Sequence, residues 1–475
     1  MVIKRIDLII LSFSLILAIL LGVLISFFGV LSLPIILALA FFVLFVFLIF
    51  KNPFWGILLI AFFIPFERLG SLEISAMTLR ISQILGAITI LSWFLKMLVE
   101  KNVRFKSNPI FIPLIIFLII NVVSFTQAVN LSRAVTVFLF TAFTILIGIT
   151  VTNLVDSKDK LEKLIKVILL ITLLVTIFGI FQFAGDLIGL PTSITGLREM
   201  YTMKVFGFPR IQSTFLEPLY LANYLLLPIC LVLAFLLARK SYLKWYWLII
   251  ILSFSLINFI LALSRAAYLA LGFCLILIFI FYLKNIFSLK NILIFLAVLL
   301  IVYFVFMRVF GLTQDFNLAV SKFSTQAISL FTGASYTDRA ETFSQAYSAF
   351  REHPWLGIGT GNFGPYVAHY PLIQPETGWL IVNNEFLEIL AETGIFGLLS
   401  FLFVLGILFF RSIKAIQKAQ DAYLKTVMFA LFVTFLGVII QYQTFSILYI
   451  MHIWFLIGLL VAVQNLILKT KEMLK

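Results

Sequence analysis

Long apolar runs dominate the chain, parted by short polar stretches. Runs of spanning length fall at roughly 7–29, 32–50, 78–99, 110–128, 134–155, 161–184, 215–238, 245–263, 266–283, 291–307, 394–411, 424–442 and 446–467. About 20 apolar residues carry a helix across some 30 Å of hydrocarbon, and most of these runs suffice. The stretch 53–66 is shorter and bracketed by Pro53 and Pro65; it either spans with tilt or enters and returns. Counting it as a span, the pattern predicts an all-α polytopic membrane protein of about 14 (roughly 12–14) transmembrane helices. The expected division is 1–307, transmembrane helices with a short outer loop at 185–213; 308–393, one long, partly helical extracytoplasmic loop; and 394–475, the C-terminal helices. No internal repeat or low-complexity linker is visible.

The long loop has a pattern of its own. Asp338 can cap a helix whose apolar positions Phe343, Ala346, Tyr347 and Phe350 recur at helical spacing. His353-Pro354 ends it, because the residue before proline avoids the helical region. Gly357, Gly359, Gly361 and Gly364 then form a tight irregular passage. Asn384 is placed to cap the next helix, with Glu385 and Glu388 at its positive end. Gly394 breaks that helix before the following span.

Composition agrees with the pattern. The chain is 63% hydrophobic and 11% charged, with a mean hydropathy of +1.18, outside the range of soluble domains. A net charge of +14 raises nucleic acid as a partner, but the basic residues sit in short clusters between apolar runs, as the positive-inside rule distributes them. With the N-terminus inside, the clusters at Lys4–Arg5, Lys51, Lys96–Lys106, Lys158–Lys166, Arg239–Lys244, Lys284–Lys290, Arg411–Lys425 and Lys469–Lys475 all fall on one face. Both termini are then cytoplasmic, the long loop is extracytoplasmic, and the chain is a multi-pass protein of the cytoplasmic (inner) membrane. That agreement needs 53–66 to cross. Cys230 and Cys274 lie in apolar runs, so neither a disulfide framework nor a metal site is indicated. The first apolar run is too long for a signal-peptide core and reads as a retained span.

From Asp338 the chain reads DRAETFSQAYSAFREHPWLGIGTGNFG, and further on VNNEFLEILAETGIFG, ending at Gly397. These motifs resemble the extracytoplasmic loop of the O-antigen ligase and polymerase superfamily, integral membrane enzymes that transfer glycans from a polyprenyl-diphosphate carrier. The matching features are Arg339 opening a helix, the turn HPWLGIGTGNF, and a polar pair followed by EILAETGIFG. Arg265-x-x-x-Leu269 also matches the superfamily, and Glu217-Pro218 resembles the Glu-Pro common among exopolysaccharide polymerases. One position departs: where the ligases carry His-Asn, this chain has Asn383-Asn384.

The resemblance implies a glycosyltransferase without cofactor or metal. Its donor is a glycan on undecaprenyl diphosphate, its acceptor a glycan or lipid-glycan, and its surroundings membrane lipids; a chain-length regulator or a flippase is the implied protein partner. Polymerisation of repeat units is the reading preferred from Asn383 and Glu217-Pro218. A ligase delivering the glycan to lipid A core of lipopolysaccharide, to protein or to another acceptor is the alternative, and a lipid-glycan flippase a second one.

A departing diphosphate needs fixed cations, and the guanidinium fork suits phosphate oxygens. Arg210, Arg265 and Arg339 are the expected cations; interfacial snorkelling is the plain alternative for each. Arg198, Lys204, Arg308 and Arg351 are read as surface. The acceptor hydroxyl must lose a proton. At the position of the ligases' proposed base this chain has Asn383, which can orient but not accept. Glu217 is therefore the preferred base, against the plain reading that it caps its own helix. Asn384 and His369 are counted with Arg339 as substrate-binding residues, although nothing around His369 matches the motif. His353 is read as a turn residue and His452 as intramembrane. Glu385, Glu388 and Glu392 are read as a solvated helix face. Gly359-x-Gly361-x-x-Gly364 matches a dinucleotide fingerprint but lacks a preceding strand, so that reading is rejected. Gln83, Asn121 and Gln182 are the neutral polar residues expected near the bilayer midplane, and the lack of charge there speaks against a flippase.

Overall fold

The computed structural model describes residues 33–68, 72–74, 77–100, 108–202, 209–283, 334–375, 378–446 and 448–469. The expected spans at 7–29 and 291–307 lie outside them, as do Lys204, Arg308 and the first part of the long loop. The architecture is helical: α1 (Leu33–Lys51), α2 (Pro53–Phe63), α3 (Ile81–Val99), α4 (Phe111–Ser124), α5 (Leu131–Leu154), α6 (Lys158–Leu187), α7 (Pro218–Ala238), α8 (Trp245–Leu261), α9 (Arg265–Phe281), α10 (Ala334–Glu352), α11 (Glu385–Lys418), α12 (Ala422–Gln441) and α13 (Met451–Lys469). A short antiparallel hairpin, β1 (Leu72–Ile74) with β2 (Met77–Leu79), joins α2 to α3.

Among the described residues seven helices are long and apolar enough to cross a membrane: α3, α5, α6, α7, α11, α12 and the body of α13. The apolar parts of α1, α2, α4, α8 and α9 are shorter. The chain is an integral membrane protein on this basis. The stretch 53–66 is instructive. At 11 residues, α2 rises only about 16 Å, too little to span by itself. The segment nevertheless runs from one end of the bundle to the other. The Phe54 ring lies 5.5 Å from Lys160 Nζ, at the start of α6. The Pro65 carbonyl accepts Thr214 Oγ1 at 2.7 Å, beside Ser213, which bonds Gln182 near the far end of α6. Asn52 makes the reversal sharp: its side chain caps α2 from Phe54 N, Pro53 follows at the first helical position, and Phe45 packs back on Phe63 at 6.2 Å.

Two ends of the bundle therefore differ in chemistry. One collects Lys158, paired with Asp421 at 2.6 Å and packed near the Tyr242 and Tyr423 rings. The other collects the ends of α2, α3, α7, α8, α9, α11, α12 and α13 that carry the motifs. The polar residues expected at mid-bundle belong to this second end. Gln83 accepts the Arg80 N–H, Asn121 accepts Thr360 Oγ1, and Gln182 bonds both backbone groups of Ser213. These amides have partners in backbone groups or in the Thr360 hydroxyl, which explains why polar groups are tolerated in apolar runs. A second buried set, His452 with Asn223 at 2.6 Å and Asn223 with Gln441, lies within about two turns of the same helix ends.

Small residues set a close helix contact between α5 and α13. Gly148 of α5 meets α13 so tightly that a Cβ on Gly458 would come within 2.3 Å of the Gly148 carbonyl, and Thr152 Oγ1 donates to the Gly458 carbonyl at 3.0 Å. Close approach through small residues is how helices associate in lipid. Gly458→Leu is expected to lower stability by roughly 1–3 kcal/mol, the cost of overpacking, read as a lowered melting temperature in detergent. An unchanged melting temperature would mean that α5 and α13 are not this close.

Candidate functional site

The glycine passage is built by the opening turns of α11. Gly357, Gly359 and Gly361 have φ of +67°, +98° and +69°, a region that side chains enter only at a cost. A Cβ on Gly357 would stand 2.3 Å from the Glu392 backbone. The backbone runs in register with the end of that turn: Ile358 N–H donates to Ala391 O, Gly359 N–H to Glu392 O, and Ile395 N–H to Pro354 O. The Glu392 carboxylate then accepts Gly361 N–H at 2.6 Å and Phe363 N–H at 3.0 Å. Gly394 (φ 67°, ψ −167°) breaks the helix there, and α11 continues beyond the kink. On its other side the passage is fixed by Arg133 Nε to Gly361 O at 2.6 Å and Thr360 N–H to Ser124 Oγ at 3.1 Å. These bonds account for the glycines without a nucleotide.

The acids of α11 are thus a correction to the solvated-face reading. Glu392 and Glu385 are buried, 8% and 3% exposed, and Glu388 accepts the Val382 N–H at 2.9 Å. The Glu388 and Glu392 carboxylates hold loop backbone, and Glu385 and Glu388 lie in the first turn of α11, where the helix N-terminus favours negative charge. α10 is corrected too. It begins at Ala334, so Asp338 lies inside the helix, and Ala346 and Ala349 rather than Tyr347 face inward. It ends at Glu352, just before His353-Pro354. Thr342 Oγ1 of α10 donates to the Val382 carbonyl at 3.1 Å, placing the turn after Arg339 beside Asn383.

Around this scaffold the arginines gather. Arg210 is half-buried, with Nε 3.5 Å from the Ala262 carbonyl and its guanidinium 5.7 Å from the Tyr201 ring centre. Burial holds its pKa below the ordinary arginine value, opposed by Tyr201, Tyr268 and Glu217, while the charge of Arg265 lowers it further. Burial likewise lowers Arg339, and again Arg265 adds to it. Arg265 opens α9 after Leu263, whose φ is +47°. The three cations are therefore electrostatic neighbours, drawn from the loop at 209–217, the α8–α9 turn and α10. Against them stands Glu217. It occupies the N-cap position of α7 but makes no capping bond, so the helix-capping reading fails. Burial raises its carboxyl above the usual carboxylate range, with Arg198 and Arg210 pulling it back.

Residues 248–402 match the family model described as O-antigen ligase. This segment is similar to that family. It covers about one third of the chain, and the likeness to the ligase and polymerase superfamily rests on it. No curated protein matches the chain. The match contains Arg265, Arg339, the glycine passage, Asn383 and Asn384; Arg210 and Glu217 precede it.

Other expected residues fall as follows. Asn383 is half-buried with φ +59°, and its amide bonds the Ile381 carbonyl at 3.4 Å. Asn384 is the N-cap: Oδ1 accepts Leu387 N–H at 3.1 Å and Nδ2 donates to Gln443 O at 3.3 Å. Its side chain is occupied by the fold. His369 is exposed, its ring 4.7 Å from that of Tyr370. Arg351 is exposed, as read. Arg198 belongs beside Glu217 and not on a bare surface. Glu67, Arg80 and Arg133 escaped notice in the sequence. The visible signal was the polar pair Glu67-Arg68 shortly after Pro65, an unusual place for a carboxylate that ends up 5% exposed.

Removing the Glu392 carboxylate is expected to destabilise the glycine passage and its packing on α11. Glu392→Leu leaves two buried N–H groups unpaired, each worth roughly 1–3 kcal/mol, and should lower the melting temperature in detergent. A melting temperature equal to the parent's would restore the solvated face.

Proposed function

We propose that this protein polymerises oligosaccharide repeat units carried on undecaprenyl diphosphate at the outer face of the cytoplasmic membrane. The observation that carries the reading is the convergence of Arg210 and Arg339 on the charge of Arg265, with the half-buried Glu217 carboxylate against them. A diphosphate leaving group accumulates negative charge as the glycosidic bond to it breaks, and preorganised guanidinium groups stabilise that charge most where water is scarce. On this reading Arg265, Arg210 and Arg339 hold the diphosphate. Glu217 takes the proton from the acceptor hydroxyl as its oxygen attacks the anomeric carbon, and Asn383 orients that hydroxyl. Both the donor and the acceptor are then lipid-linked repeats, which distinguishes polymerisation from a single ligation.

A carboxylate suits this role because burial raises its pKa and with it its basicity, while Arg198 and Arg210 oppose that rise. Purified protein incubated with a lipid-linked repeat should give a ladder of products. One transfer to an added acceptor would indicate a ligase, and no product would favour a flippase.

Three further outcomes test the parts. Arg265→Ala should lower the rate about a hundredfold, on the order of 3 kcal/mol, and Lys should rescue poorly because it offers a point charge in place of a fork. Near-normal activity of Arg265→Ala would make this arginine an interfacial anchor. Glu217→Gln should cost roughly a hundredfold to ten-thousandfold. The parent rate should fall as pH drops through the raised Glu217 pKa, and that acidic limb should vanish in Glu217→Gln. Full activity of Glu217→Gln would remove the assigned base. For the orientation, cysteines at Ile194, 56% exposed, and at Met200 should react with a membrane-impermeant thiol reagent in intact cells, and one at Asp159 should not. Thr195 itself is fully buried and unsuited to labelling. Reaction at Asp159 would invert the topology and place the arginines inside.

A further inference from the structure

The strand of loop that delivers Glu217 is pinned along its length. Gln182 of α6 bonds both backbone groups of Ser213, at 2.8 and 3.0 Å, and Ser213 Oγ donates to the Val175 carbonyl at 2.7 Å. Ser213 has φ +51°, so this anchorage also offsets backbone strain. From the other side the segment after α2 takes over. Thr214 Oγ1 donates to Pro65 O at 2.7 Å, Arg68 N–H to Thr214 O at 3.3 Å, and Arg68 Nη1 to the Gly196 carbonyl. The last bond before Glu217 comes from a carboxylate: Glu67 Oε2 accepts the Leu216 N–H at 3.3 Å. Beyond Glu217 the chain enters α7 through Pro218, whose ring fixes φ. Glu217 makes no capping bond of its own, so its place is set by the backbone on either side.

A buried carboxyl is an expensive way to accept one hydrogen bond, since a serine or asparagine would do so without desolvating an acid. Arg80 and Glu217 face Glu67, with Tyr220 nearby. Two acids thus stand close together, one beneath the site and one in it. We propose that Glu67 is a positioning residue for Glu217, holding it through the Leu216 N–H in register with Arg198 and Arg210. The role rests on the reading of Glu217 as the base. It lies outside the segment that matches the O-antigen ligase family, in the connection between α2 and the β-hairpin.

The experiment is a kinetic comparison of Glu67→Gln, Glu67→Asp and Glu67→Ala in the full-length protein, alone and combined with Glu217→Gln, using the lipid-linked repeat as donor. Gln keeps both reach and acceptor, so its kcat should stay within about threefold of the parent's. Asp keeps the charge but is one methylene short. Its kcat should fall about tenfold to a hundredfold at nearly constant donor KM, as expected for a reacting group displaced by an ångström. Ala should behave like Asp. In the Glu217→Gln background none of the three should cost more than about twofold further, because a residue acting through Glu217 has nothing left to position. If Glu67→Asp outperforms Glu67→Gln, charge and not reach matters, and the proposal is wrong; this comparison stands even if Glu67→Ala does not fold. If Glu217→Gln is impaired and Glu67→Asp costs as much on that background as alone, Glu67 is structural and the base survives. Full activity of Glu217→Gln would remove the base and the positioning role together.

Discussion

Gathering like charges at the edge of a low-dielectric bundle is costly, and this protein does it three times over. Arg210, Arg265 and Arg339 come from separate elements, yet Arg210 and Arg339 feel the charge of Arg265, and burial already disfavours the charged forms of those two. Guanidinium groups give up their protons only at very high pH, so the cost is met by neighbouring dipoles and by anions. Tyr201 and Glu217 provide part of that compensation. A diphosphate provides far more, and the proposed function follows from supplying it.

The remainder of the site end reads as support for that arrangement. The glycines of the passage have no side chains with which to hold it, so its position comes from the Glu392 carboxylate, the Ala391 and Glu392 carbonyls, Arg133, and the side chains of Thr360 and Asn362. Because Gly394 breaks α11 at the same level, the passage and the kink form one rigid corner. Thr342 ties α10 to that corner at Val382, and Arg339 is carried one turn away. The three arginines are thus carried by a loop, a helix turn and a docked helix, and Arg210 also reaches the Ala262 carbonyl through its own Nε.

How much of this was legible in the sequence depended on periodicity and local chemistry. Spans, the proline stop at His353-Pro354, the Asn384 cap and the Gly394 break were readable because each is written within a few residues. The register of α10 was not: Ala346 and Ala349 face inward, and small residues give a weak apolar signal beside Tyr347. The acids of α11 read as a solvated face because their partners, Gly361, Phe363 and Val382, are backbone N–H groups with no sequence signature. Glu67 was missed for a similar reason. Its partner at Leu216 is about 150 residues away, joined only by how α2 meets the loop before α7. Charge placement counts the stretch 53–66 as crossing, and although α2 is too short to span as a helix, its segment runs between the two ends of the bundle.

The proposed function requires that the three arginines together make a site for a diphosphate. Calorimetric titration of the purified, detergent-solubilised protein with inorganic diphosphate and with monophosphate tests it without any turnover. The account predicts tighter binding of diphosphate, weakened at least about tenfold by Arg265→Lys because the fork geometry is lost, with coupled rather than additive losses when Arg210→Ala and Arg339→Ala are combined. Equal binding of the two anions, left unchanged by these substitutions, would contradict it.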